Sequence, residues 1–358
     1  MGIPKFSEEE LEIKGYSPPM FGEPVAIFNY PAAPREAVAG LYEKRPIWQP
    51  VGAEQAVFIP RINPDNIARS MVFEVNPIKP ADGGGKDMFG IEWEYIPQAR
   101  GSMVRPGRPF LQDANEWYDK LVWPDIDSWD WEEYGKANEA FFDTDTSYIT
   151  MIFNGWYERL ISFLDFEGAA VALIDDDQKQ AVEELFDKLT DLYVKLLDKY
   201  ITYFPRIDTY SVHDDWGGQK ETFFSPQTAR EMIVPYMQRV TDFLHSKGKF
   251  CDFHSCGSIE KQIPNIIAAG WDSWNPQTMN DTYRIYEMYG DKLLISVVPE
   301  LPDPAESTEE KEREAARKFA EKFCNPEKPC SLNQYISHLL TPAFREELYK
   351  QSRVKFGG

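Results

Sequence analysis

The sequence has few of the features that mark a secreted, membrane-bound or disulfide-stabilised protein. Only four of its 358 residues are cysteine. It contains no run of about 18 apolar residues, the length that a membrane-spanning helix needs. Its first residues also lack the basic and apolar regions of a secretory signal. We therefore expect a cytoplasmic protein with reduced thiols and no membrane segment.

Positive charge is also scarce. The chain has 38 lysine and arginine residues against 59 aspartate and glutamate residues, which gives a formal net charge of −21. Binding to a phosphate backbone or to an anionic membrane requires clustered basic residues. We therefore expect neither nucleic acid nor membrane among the partners, and we interpret the charge as that of a soluble acidic surface. The sequence leaves a homodimer open.

The pattern of apolar residues changes along the chain. Residues 1–145 are rich in proline and have short periodic runs, and we interpret 1–85 as an irregular N-terminal extension packed on the main domain. Helices are predicted from Val182 to Tyr200 and from Ser225 to Phe243. Strands are predicted near 148–153, 207–213, 249–253, 271–275, 293–298 and 329–333. Such alternation is typical of an α/β fold with parallel strands, and the lack of a linker predicts one domain over 1–358.

A histidine and a cysteine lie two positions apart at the end of one predicted strand. Because side chains alternate along a strand, His254 and Cys256 project to the same side. In a parallel barrel, the carboxyl ends of the strands form the catalytic face. Imidazole and thiolate are both zinc ligands, and a catalytic zinc site has three protein ligands and an open position. The same pattern also fits a buried thiol beside a hydrogen-bonded histidine.

Two acidic residues follow another histidine at the end of an earlier strand. His213 and Asp215 share one side of this segment, and Asp214 lies on the other. These three candidate catalytic residues could supply a metal ligand, orient His254 or act as a general acid. Turn and helix-capping chemistry accounts for them equally well.

Other residues at strand ends could line a binding pocket. Trp216 and Gln219 follow His213, and Trp274 and Asn275 lie on a later strand. Aromatic rings suit a flat apolar substrate, although buried core is the commoner role of tryptophan. One more candidate metal ligand, just after the strand near 293–298, is Glu300.

Several segments resemble the uroporphyrinogen-decarboxylase-like superfamily, and within it the corrinoid-dependent methyltransferases. They are HDDWGGQ at 213–219, SPQTAREMIVPYMQRVTDFLHSKGKF at 225–250 and DFHSCGSIEKQIPNIIAAGWDSWNPQ at 252–277. The segments DMFGIEWEYIP, VWPDIDSWDWE and ISFLDFEGAAVALIDD are similar to the O-demethylase-type members of anaerobic bacteria and archaea. The resemblance covers most of residues 85–300.

The resemblance implies a (β/α)8 TIM barrel that binds zinc through His254 and Cys256. It also implies a partner corrinoid protein that presents cobalamin at the barrel mouth. We therefore expect an O-demethylase methyltransferase, which moves a methyl group from a small methyl ether to the Co(I) form of the corrinoid. A methoxylated aromatic compound is the expected methyl donor.

The main alternative is a methylcobalamin:thiol methyltransferase of the coenzyme M type. In the thiol-activating members a further cysteine lies close before a final Thr–Pro pair, whereas Cys330 lies well upstream of Thr341. This departure disfavours the thiol reaction. It leaves the third metal ligand open among Asp215, Glu300 and Cys330.

Two other functions are weaker alternatives. Porphyrinogen decarboxylation needs an arginine-rich pocket near the chain start, and the proline-rich N-terminal region has no arginine cluster. A non-enzymatic binding module for the corrinoid protein is the other. Turnover that depends on His254 and Cys256 would distinguish an enzyme from such a module.

Overall fold

The computed structural model describes residues 3–17, 23–98 and 101–357, except for the side chains of residues 334 and 335. The strands in these residues are β1 (Ile13–Ser17), β2 (Val25–Phe28), β3 (Gln55–Val57), β4 (Gly85–Lys86), β5 (Glu92–Ile96), β6 (Gly101–Val104), β7 (Ser147–Ile152), β8 (Ile207–His213), β9 (Phe250–Ser255), β10 (Ser273–Pro276), β11 (Leu294–Val297) and β12 (Ser331–Leu332). The α-helices are α1 (Pro34–Tyr42), α2 (Pro64–Ala68), α3 (Trp117–Lys120), α4 (Trp131–Ala137), α5 (Trp156–Ala172), α6 (Lys179–Tyr203), α7 (Pro226–Met232), α8 (Val234–Ser246), α9 (Ile263–Ala268), α10 (Thr282–Tyr289), α11 (Glu309–Phe323) and α12 (Pro342–Phe356). Short 3-10 helices lie at Glu8–Leu11, Pro80–Asp82, Ala114–Glu116, Ile126–Ser128, Glu139–Phe142, Glu260–Gln262, Pro304–Glu306 and Gln334–Leu339.

The chain is organised as two compact units. The first consists of Met1–Val57, Asp145–Ile149 and Asp272–Gly358, and the second of Phe58–Thr144 and Thr150–Trp271. The predicted N-terminal extension is therefore divided between the two units. The interpretation of the whole chain as one domain stays a prediction.

The first unit contains parallel strands with helices beside them. Strands β10, β11 and β12 pair in parallel, and so do β3 and β7. Helix α10 packs against β11, and α11 packs against α12. An antiparallel pair, β1 with β2, completes the strands of this unit.

The second unit is built around the parallel pair β8 and β9. Their register aligns Val212 with Phe253 and His213 with His254. Helix α8 packs against β9 and also against α6, so helices lie beside the parallel strands in this unit as well. An antiparallel sheet of β4, β5 and β6 belongs to its proline-rich part.

Helix α6 shows how the sequence specifies these elements. Its apolar residues recur at helical spacing, and Leu185, Leu189, Leu192 and Leu196 are buried. The helix ends at Tyr203, two residues before a proline that could not continue it.

The structure confirms the α/β class with parallel strands. Each predicted strand after residue 148 has a counterpart, from β7 to β12. Seven strands of the described residues take part in parallel pairs, and closure into an eight-stranded barrel stays a prediction. None of the described helices has both the length and the apolar character needed to cross a membrane.

The prediction of one continuous helix is wrong in one place. The segment from Ser225 to Phe243 forms two helices, α7 and α8, because Ile233 between them has φ −123° and ψ −47°. Pro235 follows in the first turn of α8. Proline has no N–H to donate, and its ring clashes with the carbonyl of the residue four positions earlier, so one continuous helix is broken here.

Candidate metal centre

Two histidines lie side by side at the ends of β8 and β9. His213 ends β8, His254 is the penultimate residue of β9, and the parallel register pairs them. Their ring centroids are 5.0 Å apart and both side chains are buried. Just beyond β9, Cys256 lies on the same side. Its Sγ is 3.7 Å from His254 Nε2 and 3.9 Å from His213 Nε2.

The spacing of these donor atoms fits a tetrahedral zinc ion. Zinc lies about 2.0–2.1 Å from nitrogen ligands and about 2.3 Å from sulfur ligands, so tetrahedral angles place a nitrogen and a sulfur about 3.6 Å apart. The three donor atoms lie within 4.8 Å of one another. We call His213, His254 and Cys256 the His–His–Cys cluster. It has the number and type of ligands of a catalytic zinc centre with one open position.

Asp215 lies at the exposed side of this cluster. Its Oδ1 accepts a hydrogen bond from the Cys256 backbone N–H at 3.0 Å and lies 3.5 Å from His213 Nε2. The Asp215 side chain is 29% exposed, compared with 8% for His213. A molecule that enters from solvent would therefore meet the Asp215 carboxylate next to the cluster.

Glycines fix the loop that carries Cys256. Gly257 has φ +85°, and a Cβ there would lie 2.1 Å from the Gly217 carbonyl oxygen. The Ser258 N–H donates to the Gly218 carbonyl at 2.8 Å. The loops after β8 and β9 therefore interlock, backbone against backbone, and this contact keeps Cys256 beside the residues that follow β8.

The structure places Asp214 on the opposite side of its strand from the cluster. Its carboxylate accepts the backbone N–H groups of Tyr157 and Glu158 at 3.2 and 2.7 Å and the Trp216 indole N–H at 2.9 Å. It thus binds the free N–H groups of the first turn of α5. Burial raises the pKa of Asp214 to about 7, although these hydrogen bonds act to lower it. The contacts are those of a helix cap, and a catalytic role for Asp214 stays a prediction.

Trp216 and Gln219 have different surroundings. Trp216 is fully buried, and its ring packs against Phe253 and Phe224 at centroid distances of 5.1 and 5.6 Å. It is therefore a core residue in the second unit. Gln219 is exposed in the loop after β8. Substrate binding by either residue stays a prediction.

Sequence reasoning missed two charged residues beside the cluster. Glu158, in the first turn of α5, places Oε2 2.7 Å from His213 Nδ1, and its Oε1 forms an ion pair with Arg69. Arg69, which directly follows α2, also donates to Asn154 Oδ1 at 2.9 Å. One signal was available, since Asn154 and Glu158 closely follow the end of β7 and polar residues at strand ends had indicated His213. Nothing in the local sequence marked Arg69.

Charge pairing dominates the electrostatics of His213. Burial acts to lower the pKa of this imidazole, but the carboxylates of Glu158 and Asp215 outweigh burial and hold that pKa well above its usual value. Burial also acts to raise the pKa of Glu158, whereas Arg69 and His213 lower it to about 2. Burial raises the pKa of the Cys256 thiol. A fixed negative charge therefore faces His213 on the side away from Cys256.

The remaining predicted site residues belong to the first unit. Trp274 and Asn275 are buried on β10. Glu300 is exposed after the end of β11. Cys330 is fully buried, with its Sγ 3.9 Å from Gln49 Oε1. Roles for these residues in substrate or metal binding stay predictions.

These observations define the class of the protein: it has an α/β fold with a His–His–Cys cluster at the ends of two parallel strands. Among solved structures, the chain is similar to a methyltransferase from Methanosarcina mazei, with a TM-score of 0.58 and 14% sequence identity over 91% of this chain and 99% of that chain. At this identity the likeness shows a shared fold. No protein-family model matches the chain. No curated protein matches it either.

Proposed function

We propose that this protein is a metal-dependent methyltransferase of the uroporphyrinogen-decarboxylase-like superfamily. In this proposal it is the O-demethylase component that moves a methyl group from a methyl ether to the Co(I) corrinoid of a partner protein. The observation that carries the proposal is the pair of His254 and Cys256, whose Nε2 and Sγ atoms are 3.7 Å apart at the end of a parallel strand. The fold shared with the Methanosarcina mazei methyltransferase supports it.

The residues at the site fit zinc. Thiolate and imidazole are preferred donors of this ion, and the distances from Cys256 Sγ to the two imidazoles, 3.7 and 3.9 Å, are close to those of a tetrahedral centre. When bound, zinc would act as a Lewis acid toward the ether oxygen at the open position. His254 and Cys256 would hold the ion.

The reaction requires stabilisation of the leaving oxygen. During transfer a carbon–cobalt bond forms at the methyl group while the carbon–oxygen bond breaks, and the electron pair of the broken bond stays on oxygen. Phenolate is a poor leaving group, so a nearby acid or electrophile must neutralise the developing charge. Asp215 borders the cluster at its exposed side, where it would orient or protonate that oxygen. The Cys256 N–H holds this carboxyl group in place.

A direct assay tests the proposal. The zinc-loaded protein is incubated with cob(I)alamin, free or bound to a corrinoid protein, and with a panel of methoxybenzenes. We expect the absorbance of methylcobalamin to appear together with an equal amount of the demethylated phenol. His254→Gln and Cys256→Ser should abolish both products, whereas Cys324→Ser, which changes a buried cysteine of the first unit, should retain them.

The assay also distinguishes the alternatives. No methylcobalamin with any donor of the panel would contradict O-demethylation. Formation of a methyl thioether from methylcobalamin and coenzyme M, without demethylation of any ether, would replace the proposal with a thiol methyltransferase. Transfer that survives both His254→Gln and Cys256→Ser would show that the metal pair does not carry the reaction.

A further inference from the structure

The metal centre of the proposed function needs a third protein ligand. We infer that His213 is this ligand and that Glu158, held by Arg69, is a positioning residue that orients its imidazole. The inference rests on the metal of the proposed function but not on the methyl donor or the corrinoid partner. Metal binding alone therefore tests it.

The two ring nitrogens of His213 have different surroundings. Nδ1 lies 2.7 Å from Glu158 Oε2, which is the distance of a strong hydrogen bond to a carboxylate. Because Nδ1 faces this carboxylate, Nε2 is the ring nitrogen left to bind a metal ion, and it lies 3.9 Å from Cys256 Sγ. Metal-binding histidines commonly donate their second ring N–H to a carboxylate, which fixes the tautomer and the ring orientation. His213 therefore has the orientation of a ligand.

Glu158 is held in place through both its backbone and its side chain. Its backbone N–H donates to Asp214 Oδ1 at 2.7 Å in the first turn of α5. Its side chain is 8% exposed, and its two carboxylate oxygens are directed to His213 and Arg69. Because the helix start and the carboxylate are both fixed, Glu158 fixes the imidazole of His213 in turn.

Arg69 supplies the charge that allows Glu158 to be buried. A buried carboxylate without a partner is strongly destabilising. The Arg69 guanidinium pairs with Glu158, donates to Asn154 Oδ1 at 2.9 Å and lies 5.1 and 5.4 Å from the ring centroids of Trp93 and Phe153. A flat guanidinium near two aromatic rings has contacts that a lysine ammonium cannot reproduce. Arg69 is therefore held on several sides.

Asp215 lies near the same cluster but in a different setting. Its Oδ1 accepts the Cys256 N–H and its side chain is the more exposed one. This position suits the open coordination site, where substrate and acid meet. The fixed protein ligands would then be His213, His254 and Cys256.

Metal titration tests the inference. The wild-type protein, freed of metal with a chelator, is titrated with Zn²⁺ against a colorimetric chelator and with Co²⁺, whose absorption reports four-coordination and thiolate ligation. We expect about one ion per chain. Glu158→Gln should weaken Zn²⁺ binding by about 10–100-fold, His213→Gln should weaken it at least as much, and Arg69→Lys should weaken it in the same direction. His338→Gln, an exposed histidine of the first unit, is the matched control and should bind as the wild type does.

A replacement ligand provides a positive test that does not depend on loss of function. His213→Cys places a second sulfur donor at the same strand position, so it should retain Co²⁺ and strengthen the sulfur-to-cobalt charge-transfer absorption. Circular dichroism of the metal-free variants checks that they are folded. If His213→Gln does not fold, His213→Cys still decides the question.

The outcomes separate this inference from the proposed function. Unchanged Zn²⁺ affinity in folded His213→Gln and Glu158→Gln, with loss in Cys256→Ser, would overturn the inference and leave the metal-dependent reaction standing. The same holds if His213→Cys leaves the charge-transfer band unchanged. Metal binding as inferred, without methyl transfer to cob(I)alamin from any donor, would support the ligand set and contradict the proposed function. A wild-type protein that binds neither Zn²⁺ nor Co²⁺ would overturn both.

Discussion

The interlocked loops after β8 and β9 predict that one added methyl group at Gly257 disturbs the metal centre. A Cβ at this position would lie 2.1 Å from the Gly217 carbonyl oxygen and 2.7 Å from that of Gly218. The left-handed backbone, with φ +85°, costs an alanine about 1–2 kcal/mol. The overlap adds about 1–3 kcal/mol, because backbone atoms cannot move aside as a flexible side chain can.

Gly248 is the matched control. It has φ +67°, and nothing lies within 4 Å of a Cβ built there, so Gly248→Ala carries the backbone cost alone. We expect Gly257→Ala to lower the free energy of unfolding by about 1–3 kcal/mol more than Gly248→Ala does. Urea unfolding followed by tryptophan fluorescence measures both changes.

Zinc binding gives the second readout of this prediction. Because Cys256 directly precedes Gly257, a loop that shifts to relieve the overlap moves Sγ away from the two histidines. Zinc affinity should therefore fall in Gly257→Ala and stay unchanged in Gly248→Ala. Equal stability and equal zinc affinity of the two variants would show that the loops do not interlock as described, and would refute the reasoning.

Three other predictions follow from the described contacts. Asp214→Ala leaves three N–H donors without their acceptor and should lower the free energy of unfolding by at least about 1–3 kcal/mol; an unchanged urea midpoint would contradict the capping role. Arg353, 2.8 Å from Glu10, holds the pKa of Glu10 below its usual value of 4.5 although burial acts to raise it. The stabilisation is therefore present above pH 4.5 and is lost as the pH falls through the lower, folded-state pKa. In acid unfolding series, the stability of Glu10→Gln should lack this dependence on pH. Stability curves that run parallel for the wild type and the variant would contradict the stabilisation by Glu10. Zinc at about 100 times its Kd should stabilise the protein by about 2.7 kcal/mol over the chelator-treated form, seen as a higher Tm, and identical melting curves would exclude a folded-state zinc site.

Local rules were sufficient for the part of the site that lies within one strand. The alternation of side chains predicted that His254 and Cys256 face the same side, and their Nε2 and Sγ atoms are 3.7 Å apart. The same rule separated Asp214 from His213 and Asp215. Strand positions after residue 148 followed from apolar runs, because each run is a property of a few consecutive residues.

Contacts between distant segments could not be predicted in this way. The pairing of His213 with His254 depends on the register of two strands, and nothing in either strand specifies that register. Glu158 reaches His213 from a helix, and Arg69 reaches Glu158 from a proline-rich segment, so only the folded chain brings them together. The role of Asp214 could not be predicted for a different reason, since an aspartate after a strand is equally suitable for acid catalysis and for helix capping. The break at Ile233 had a local signal in Pro235, which the helical periodicity outweighed.

The positive charge that balances Glu158 comes from residues that the sequence predicted to be an N-terminal extension. Arg69 belongs to the segment that leads to β4, far in sequence from the strands that carry the cluster. Thermodynamic reciprocity then applies: by whatever factor the docked segment tightens zinc binding, bound zinc must favour docking of the segment by the same factor. Amide hydrogen exchange in α2 should therefore slow when zinc is added. The bound ion would thus stabilise a stretch of backbone that does not contact it.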